Sequence, residues 1–356
     1  MTTYICTSMF SHDPSNKSKY SAVGGDSSSR SFQDCYWRCI ACLFYTSKRF
    51  NVSARHLLFV NKEPPAFVDG FDYQAFLRDC GVELVVLDNP TLPPKGYTDI
   101  WGGVFIMLDI LDYFASRASD DDNIYIIDAD CVVLRPFEEE LDKQLESKGL
   151  FLIPIDYSPD KVLSNLSREK YKEVFYELDG RTRNYVPIHY GGEFLGVKGH
   201  LVQEVASKMR EIFDTSVKRF QENKLYFKTE EPIFSYYLDT INYNGSQNTN
   251  FVERIYTFPT RITVKEVHMD LSIWHLPAEK RRGFNNLYQE IISSSKKLNA
   301  YYADDQKFRI YLGKFFGIPK RNLKRIVMDY AIQYHLIDYA RRHFSGIKKI
   351  VQSIKS

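Results

Sequence analysis

The stretch "NIYIIDADCVVLRPF", from Asn123 to Phe137, places two carboxylates one residue apart, Asp128 and Asp130, at the end of an apolar run. An ionised carboxylate among apolar neighbours is costly unless something positive meets it. The pair therefore either closes a turn or holds a cation. Carboxylate oxygens suit hard divalent ions such as Mg2+ or Mn2+, which often share their coordination shell with substrate phosphates. Short Asp-x-Asp strings arise often by chance. This one gains weight from its place behind an apolar strand and ahead of a second apolar run.

Other side chains could add to such a site. Glu230 and Glu231 open "TEEPIFSYYLD", with Pro232 next. Acids in a first helical turn stabilise the helix through its dipole, and proline is tolerated there, so one of the two acids is explained without chemistry. The other is free for acid–base or nucleophilic work. Glu193 stands beside Gly191-Gly192 in "HYGGEFLGVKG", and His275 and Lys280 share "IWHLPAEK". Beside Trp274, His275 reads either as a core histidine or as a ligand. Cys35, Cys39 and Cys42 recur on one helix face. No further soft ligands stand near them, which favours a buried, reduced face over a metal.

These residues need elements to position them. "TYICTS" (3–8) reads as a strand ending in Thr7 and Ser8. A polar stretch follows from Ser11 to Ser31, holding eight serines and Gly24-Gly25; a loop of that length is either mobile or functional. Helices are expected at 32–48, 73–80 (closed by Gly81) and 98–116 (capped by Thr98 or Asp99), with strands at 56–61, 82–88 and 123–127. Strand and helix alternate through the first 130 residues. That pattern implies an α/β fold with a mainly parallel sheet flanked by helices. Such sheets bind ligands at the carboxyl ends of their strands, which is where Asp128 and Asp130 fall. Farther on, 149–155 and 186–197 read as strands, 158–183 as partly helical, 200–220 as a long helix, and 255–258 and 262–267 as short strands. From Asn285 the pattern is helical and increasingly basic.

The 356 residues carry a formal net charge of only +2, unevenly spread. Between Lys314 and Ser356 ten Lys or Arg face two Asp, giving +8 and leaving −6 for the rest. This basic segment mixes its cations with Ile, Phe, Tyr and Leu at helical spacing. It reads as a solvated face or as a surface for anionic lipid. No nucleic-acid motif accompanies the charge, so nucleic acid is not expected as a partner. The start "MTTYICTSMF" is too short and uncharged for a secretory signal. With no apolar run of about 20 residues to span a bilayer, the chain reads as cytoplasmic, peripheral at the inner face of the membrane.

The strand that ends in Asp128-Ala129-Asp130 resembles that of metal-dependent nucleotide-sugar glycosyltransferases with the GT-A fold. "HYGGEFLGVKG" is similar to the glycine-containing strand after the Asp-x-Asp in the glycogenin-like and lipopolysaccharide galactosyltransferase families, and to its counterpart in the blood-group A/B transferases. "TEEPIFSYYL" resembles the acidic helix start of the latter, and "IWHLPAEK" resembles the glycogenin-like His…Lys segment. The likeness covers residues 1 to about 283 in layout and three short segments in detail. It implies Asp128, Asp130 and His275 on one Mn2+ or Mg2+, Lys280 at the diphosphate, and Asp128 also near the ribose. It implies Glu231 at the anomeric carbon, with Glu230 beside it. Glu193 is a further acceptor-side candidate, and Thr7 and Ser8 are candidates for nucleotide contact. Two departures stand out. "PAEKRRG" replaces the usual "GxxKPW", and "TDIWGGVFIML" lacks the common Arg or Lys, leaving Tyr97 and Trp101 as donor-side candidates, with Trp101 equally a core residue.

The resemblance implies a GT-A-like catalytic domain over 1–283, followed by a basic amphipathic helical region over 284–356. It implies transfer of a hexose from a UDP-sugar to a glycan or lipid-linked glycan, as in bacterial surface polysaccharide synthesis, with retention favoured. Two other functions remain open. "DADCV" literally meets the D-x-D-x-[TV] nucleophile motif of HAD-type phosphatases, although that motif normally ends a domain's first strand. The chain also reads as a non-catalytic scaffold that binds glycan or membrane.

Overall fold

A computed structural model describes residues 1–243, 251–258 and 261–333. β1 (Thr3–Met9) leads through the serine-rich segment to α1 (Arg30–Phe50) and β2 (Arg55–Val60). A small hairpin, β3 (Phe67–Val68) and β4 (Phe71–Asp72), precedes α2 (Tyr73–Asp79) and β5 (Val82–Val86). α3 (Ile106–Ala115) runs to β6 (Asn123–Ile127), and β7 (Cys131–Val133) follows after three residues. Then come α4 (Leu141–Lys148), β8 (Leu150–Pro154), α5 (Arg168–Asp179), β9 (Tyr190–Lys198), α6 (Gly199–Gln221) and α7 (Glu230–Thr240). Three short strands and a final strand, β10 (Val252–Arg254), β11 (Thr257–Phe258), β12 (Arg261–Ile262) and β13 (Ile273–His275), precede α8 (Gly283–Ile292), α9 (Lys296–Tyr302), α10 (Asp305–Phe316) and α11 (Leu323–Gln333).

The central sheet has the order β5-β2-β1-β6-β9-β8. β5, β2, β1 and β6 are parallel, and β9 runs antiparallel between β6 and β8. The fold is thus α/β with a mainly parallel sheet flanked by helices, as expected. All five residues of β6 are buried, because both of its neighbours in the sheet and both faces are covered. That burial explains the uninterrupted apolar run ahead of Asp128. β9 is likewise buried along its whole length.

A second sheet, β10-β13-β7, lies just past the end of β6. β13 pairs antiparallel with β7 and parallel with β10, which puts Cys131, His275 and Arg254 side by side. Leu276 N donates to Asp130 O at 2.9 Å, tying the Asp-x-Asp turn to this sheet.

Local chemistry sets the helix ends. Ser29 Oγ accepts from Phe32 N at 3.3 Å to start α1, and Asp72 accepts from Ala75 N at 2.8 Å to start α2. Gly81 takes the left-handed φ of +66° that closes α2. α1 buries Cys35, Cys39 and Cys42 on one face, and all six cysteines are free and buried. Phe284, Leu287, Phe308 and Phe316, from beyond residue 283, share one apolar core with Trp37, Phe44 and Trp274. Segments 1–283 and 284–316 therefore pack as one body.

Two expectations need correction. The helix expected over 98–116 occupies only 106–115. Trp101 has a φ of +47°, and a Cβ on Gly103 would lie 2.6 Å from Phe10, so this stretch passes too close to the end of β1 to coil. Thr98 Oγ1 instead donates to Ile100 O at 2.7 Å, and Asp99 pairs with Lys19. The expected strand at 262–267 ends at Ile262, and Glu266–Asp270 is a 3-10 turn.

Candidate active site

The carboxyl end of β6 and the small sheet together floor a cleft of about 480 Å³. Asp128 N donates to Glu193 O and Cys131 N to Asp128 O, which turns the chain sharply out of the large sheet. The turn presents both aspartates to His275. Its Nε2 lies 3.6 Å from Asp128 Oδ2 and 3.3 Å from Asp130 Oδ2. One donor atom from each of the three residues lies within 4.8 Å of the other two. Lys280 Nζ sits directly on Asp130 Oδ2. Asp128 is half-exposed to the cleft, whereas Asp130, His275 and Lys280 are buried.

A divalent ion fits this set. It would bind carboxylate oxygen and imidazole nitrogen at about 2.0–2.2 Å, which asks ligand atoms to stand roughly 3 Å apart. Two oxygens and one nitrogen suit Mn2+ or Mg2+ better than a soft metal.

The charges are strongly coupled. Desolvation by the surrounding cleft walls and the charge of Asp130 push the Asp128 carboxyl up to about 7. Burial would also raise Asp130, but Lys280 and His275 outweigh it and hold that carboxyl well below the usual range. Burial would lower His275, yet the carboxylates of Asp130 and Glu193 keep its imidazole charged up to about 9. A metal must displace those protons from Asp128 and His275. A metal held here should therefore bind weakly below pH 7 and more tightly as pH rises, by roughly tenfold per unit for each proton released. Mn2+ titrations between about pH 6 and 8, in buffers of different ionisation enthalpy, check both the slope and the proton release.

A second cluster lies beside the first. Arg254 bridges Glu193, through Nε–Oε1 at 3.0 Å and Nη2–Oε2 at 2.5 Å, and Glu231, through Nη2–Oε1 at 3.0 Å. Glu231 also meets His189 Nε2 at 3.2 Å and accepts from Gly192 N at 3.3 Å. His189 is steadied through Nδ1 by the Tyr171 hydroxyl at 2.8 Å. Despite burial, His189 and Arg254 hold the Glu231 carboxyl down at about 2, so it is ionised. Glu230 is its opposite: burial and the charge of Glu231 push its carboxyl well above the usual range, and its Oε2 has no partner. The pair thus offers one fixed carboxylate and one neutral acid. The two glycines of β9 make room for Glu193 and Glu230. A Cβ on Gly191 would collide with Glu193 Oε2, and one on Gly192 would collide with Glu230 Oε1.

Asp128, Asp130, His275, Lys280, Glu230, Glu231, Ser8 and Trp101 all line the cleft. Three candidates do not. Tyr97 is fully buried, bonded to Ser216 Oγ at 2.7 Å and to Phe227 O, and packed among Phe105, Phe220 and Tyr226. It belongs to the core because the chain bends there instead of coiling. Thr7 is buried within β1. Glu193 lies beneath the cleft, holding Arg254 and standing 3.6 Å from His275 Nδ1, so its place is to orient other groups and not to meet an acceptor.

The serine-rich segment is folded against the site. His12 bonds Asn16 O and the Tyr20 hydroxyl, Gly102 N donates to Ser18 Oγ, and Arg281 donates to Val23 O. Tyr20, Phe32 and Tyr36 consequently form an aromatic wall of the cleft. Neither this wall nor Arg254 and His189 was assigned a role from sequence. Arg254 left one signal, a lone cation between Val252 and Ile255 in a β-prone run.

No protein-family model matches the chain, and no curated protein does. Among solved structures, the apo form of the bifunctional glycosyltransferase WbbM aligns with 87% of this chain at 12% identity and a TM-score of 0.49. The alignment spans about half of that protein, 52% of its chain. The galactosyltransferase LgtC, in complex with donor and acceptor sugar analogs, aligns with 83% of this chain and 99% of its own at 11% identity and a TM-score of 0.48.

Proposed function

We propose that the chain is a metal-dependent glycosyltransferase that moves a hexose from a UDP-sugar to a glycan or lipid-linked glycan. The observation that carries this is the convergence of Asp128, Asp130 and His275, with Lys280, at the carboxyl end of a mainly parallel sheet inside a cleft. Asp128, Asp130 and His275 would hold Mn2+ or Mg2+. Such an ion supplies positive charge that stabilises a departing diphosphate. Lys280 is the second positive group at that end, free to meet phosphate once its charge is no longer needed by Asp130. The aromatic wall of Tyr20, Phe32 and Tyr36 suits a stacked base, and Ser8 and Trp101 lie close by for the rest of the nucleoside. Glu231, ionised and fixed on three sides, faces the positive charge that grows at the anomeric carbon. We favour retention of configuration, since Glu231, the carboxylate that inversion would use as base, has its oxygens held by Arg254, His189 and Gly192 N and is better placed to stabilise charge than to take up an acceptor's proton.

Calorimetry with UDP, with and without Mn2+, tests the nucleotide and metal assignment. Binding that needs the metal and disappears with a chelator supports it, and metal-independent or absent binding overturns it. NMR of the first-formed glycoside during UDP-sugar turnover reads the anomer directly.

We also infer peripheral attachment to an anionic membrane through residues 314–356. The composition of the segment supports this, but residues 334–356 lie outside the described residues. Among the described residues, no helix is long and apolar enough to cross a bilayer. Flotation with phosphatidylglycerol vesicles at low salt should carry the full chain, and removal of 334–356 should leave it behind. Failure of the full chain to float would reject attachment, and equal flotation of both forms would reject the role of 334–356.

A further inference from the structure

The far wall of the cleft carries two cations that no carboxylate among the described residues neutralises. Lys161 Nζ stands 4.4 Å over the Tyr157 ring, and the Arg261 guanidinium stands 3.8 Å over the Tyr256 ring. Tyr157 and Tyr256 are neighbours and act on each other's hydroxyl. Arg254 Nη1 donates to the Tyr157 hydroxyl at 3.1 Å, so the pair is built onto the buried cluster that fixes Glu231. All five residues line the same cleft as the metal-ligand set.

The other cations of the cleft are spoken for. Lys280 sits on Asp130, and Arg254 is shared between Glu193 and Glu231. Lys161 and Arg261 have no ion-pair partner among the described residues, and the neighbouring segments 244–250 and 259–260 contain no carboxylate in sequence. A cation held over an aromatic face is attracted by the ring quadrupole but keeps its charge and its hydrogen-bond donors. An anion that enters the cleft therefore finds two cations free to meet it.

Topology separates such an anion from the donor's diphosphate. The sheet order β1-β6-β9-β8 places the segment after β8, which carries Tyr157 and Lys161, on the other side of β6 from β1 and the aromatic wall. The diphosphate end already has Lys280 and the three metal ligands. Sheet order sets Lys161 at the β8 end, and Arg261, over Tyr256, adjoins it through the neighbouring tyrosines, so a second substrate lying there would meet both cations.

We propose that Lys161 and Arg261, set over Tyr157 and Tyr256, form an acceptor subsite for a sugar that bears a phosphate or carboxylate group. The tyrosine edges supply apolar surface for the sugar ring, and the cations select the charged neighbour. This rests on the transferase reading, and the two fail separately, because donor binding is measured first.

The experiment uses the full chain saturated with Mn2+ and UDP. Galactose 1-phosphate, galacturonate and methyl galactoside are titrated in turn, with binding read by NMR or calorimetry. The expected result is tighter binding of one or both anionic sugars than of methyl galactoside, by roughly tenfold or more, with the better of the two naming the group. Lys161→Ala and Arg261→Ala should each erase most of that preference and leave UDP affinity unchanged. Both residues are exposed, so neither substitution threatens the fold. Equal binding or no binding of the three sugars, a preference that survives both substitutions, or a loss of UDP affinity in either variant would overturn the subsite. A failure of UDP to bind the unaltered protein would overturn the transferase reading instead.

Discussion

Replacing Asp130 with asparagine should lower Mn2+-dependent UDP affinity by about a hundredfold or more and turnover by a larger factor, while the protein stays folded. A cation worth several kcal/mol of transition-state stabilisation loses its best-placed ligand in this variant. Asp130 is buried and meets both Lys280 and His275, so it joins the proposed metal ligands to the lysine proposed for the diphosphate. Asparagine keeps the shape and one acceptor oxygen but loses the charge. Both effects then act together: the metal site weakens, and Lys280 is no longer held in place. Alanine removes the same charge and in addition leaves two buried cations facing each other. Calorimetry of the two variants beside the unaltered chain separates these contributions. If the Asp130→Asn variant bound UDP and Mn2+ undiminished, the ligand set named above would be wrong.

Arg254→Ala should be the most destabilising single substitution at the site, costing about 3–5 kcal/mol. Its guanidinium answers two carboxylates, and Glu193 is fully enclosed. Without it those charges stay buried and unpaired, or must take up protons at a comparable cost. Burial would raise Glu193, yet Arg254 and His275 hold it well below the ordinary range. The stability this gives is present above the ordinary carboxylate pKa and is lost as pH falls through the depressed one. The variant should therefore unfold at a markedly lower denaturant midpoint at neutral pH, and its deficit should shrink in acid. Pairing Arg254→Leu with Glu193→Gln should recover part of the loss, since two matched apolar or neutral groups cost less than one orphaned ion. A midpoint for Arg254→Ala equal to that of the unaltered protein would dismiss the network as a surface decoration.

Much of the framework was legible in the sequence because its signals are local. Apolar runs near five residues long, separated by capped amphipathic stretches, locate β1, β2, β5 and β6 within a residue or two. Asp128 and Asp130 could be picked out because they break the pattern of a fully buried strand. His275 could not be derived that way. Its approach to the aspartates depends on β13 pairing with β7 in one register, His275 opposite Cys131, across more than a hundred residues of chain. Only resemblance to a known segment pointed to it. Arg254 reaches the site through the next pairing, Arg254 beside His275, and no sequence spacing encodes that. Tyr97 and the helix expected over 98–116 misled for a different reason. Their stretch has helical composition, but Gly103 must pass against Phe10, and close packing with β1 overrides propensity. The serine-rich segment looked unstructured by composition, yet it is organised by polar contacts to backbone groups, which composition does not reveal.

Beyond β13, Glu279 is enclosed and holds Arg325 of α11, and Asp329, also enclosed, gathers Arg282, Arg321 and Arg325. The last described helix is therefore latched onto the residue directly before Lys280. The basic segment has an inner and an outer account of its charge: Arg321 and Arg325 are turned inward as fasteners, and only the remaining cations can address a lipid headgroup. A partner that pried α11 away would undo the latch at Glu279 first. The segment that composition presents as a tail is, at its root, part of the frame that seats Lys280 in the cleft.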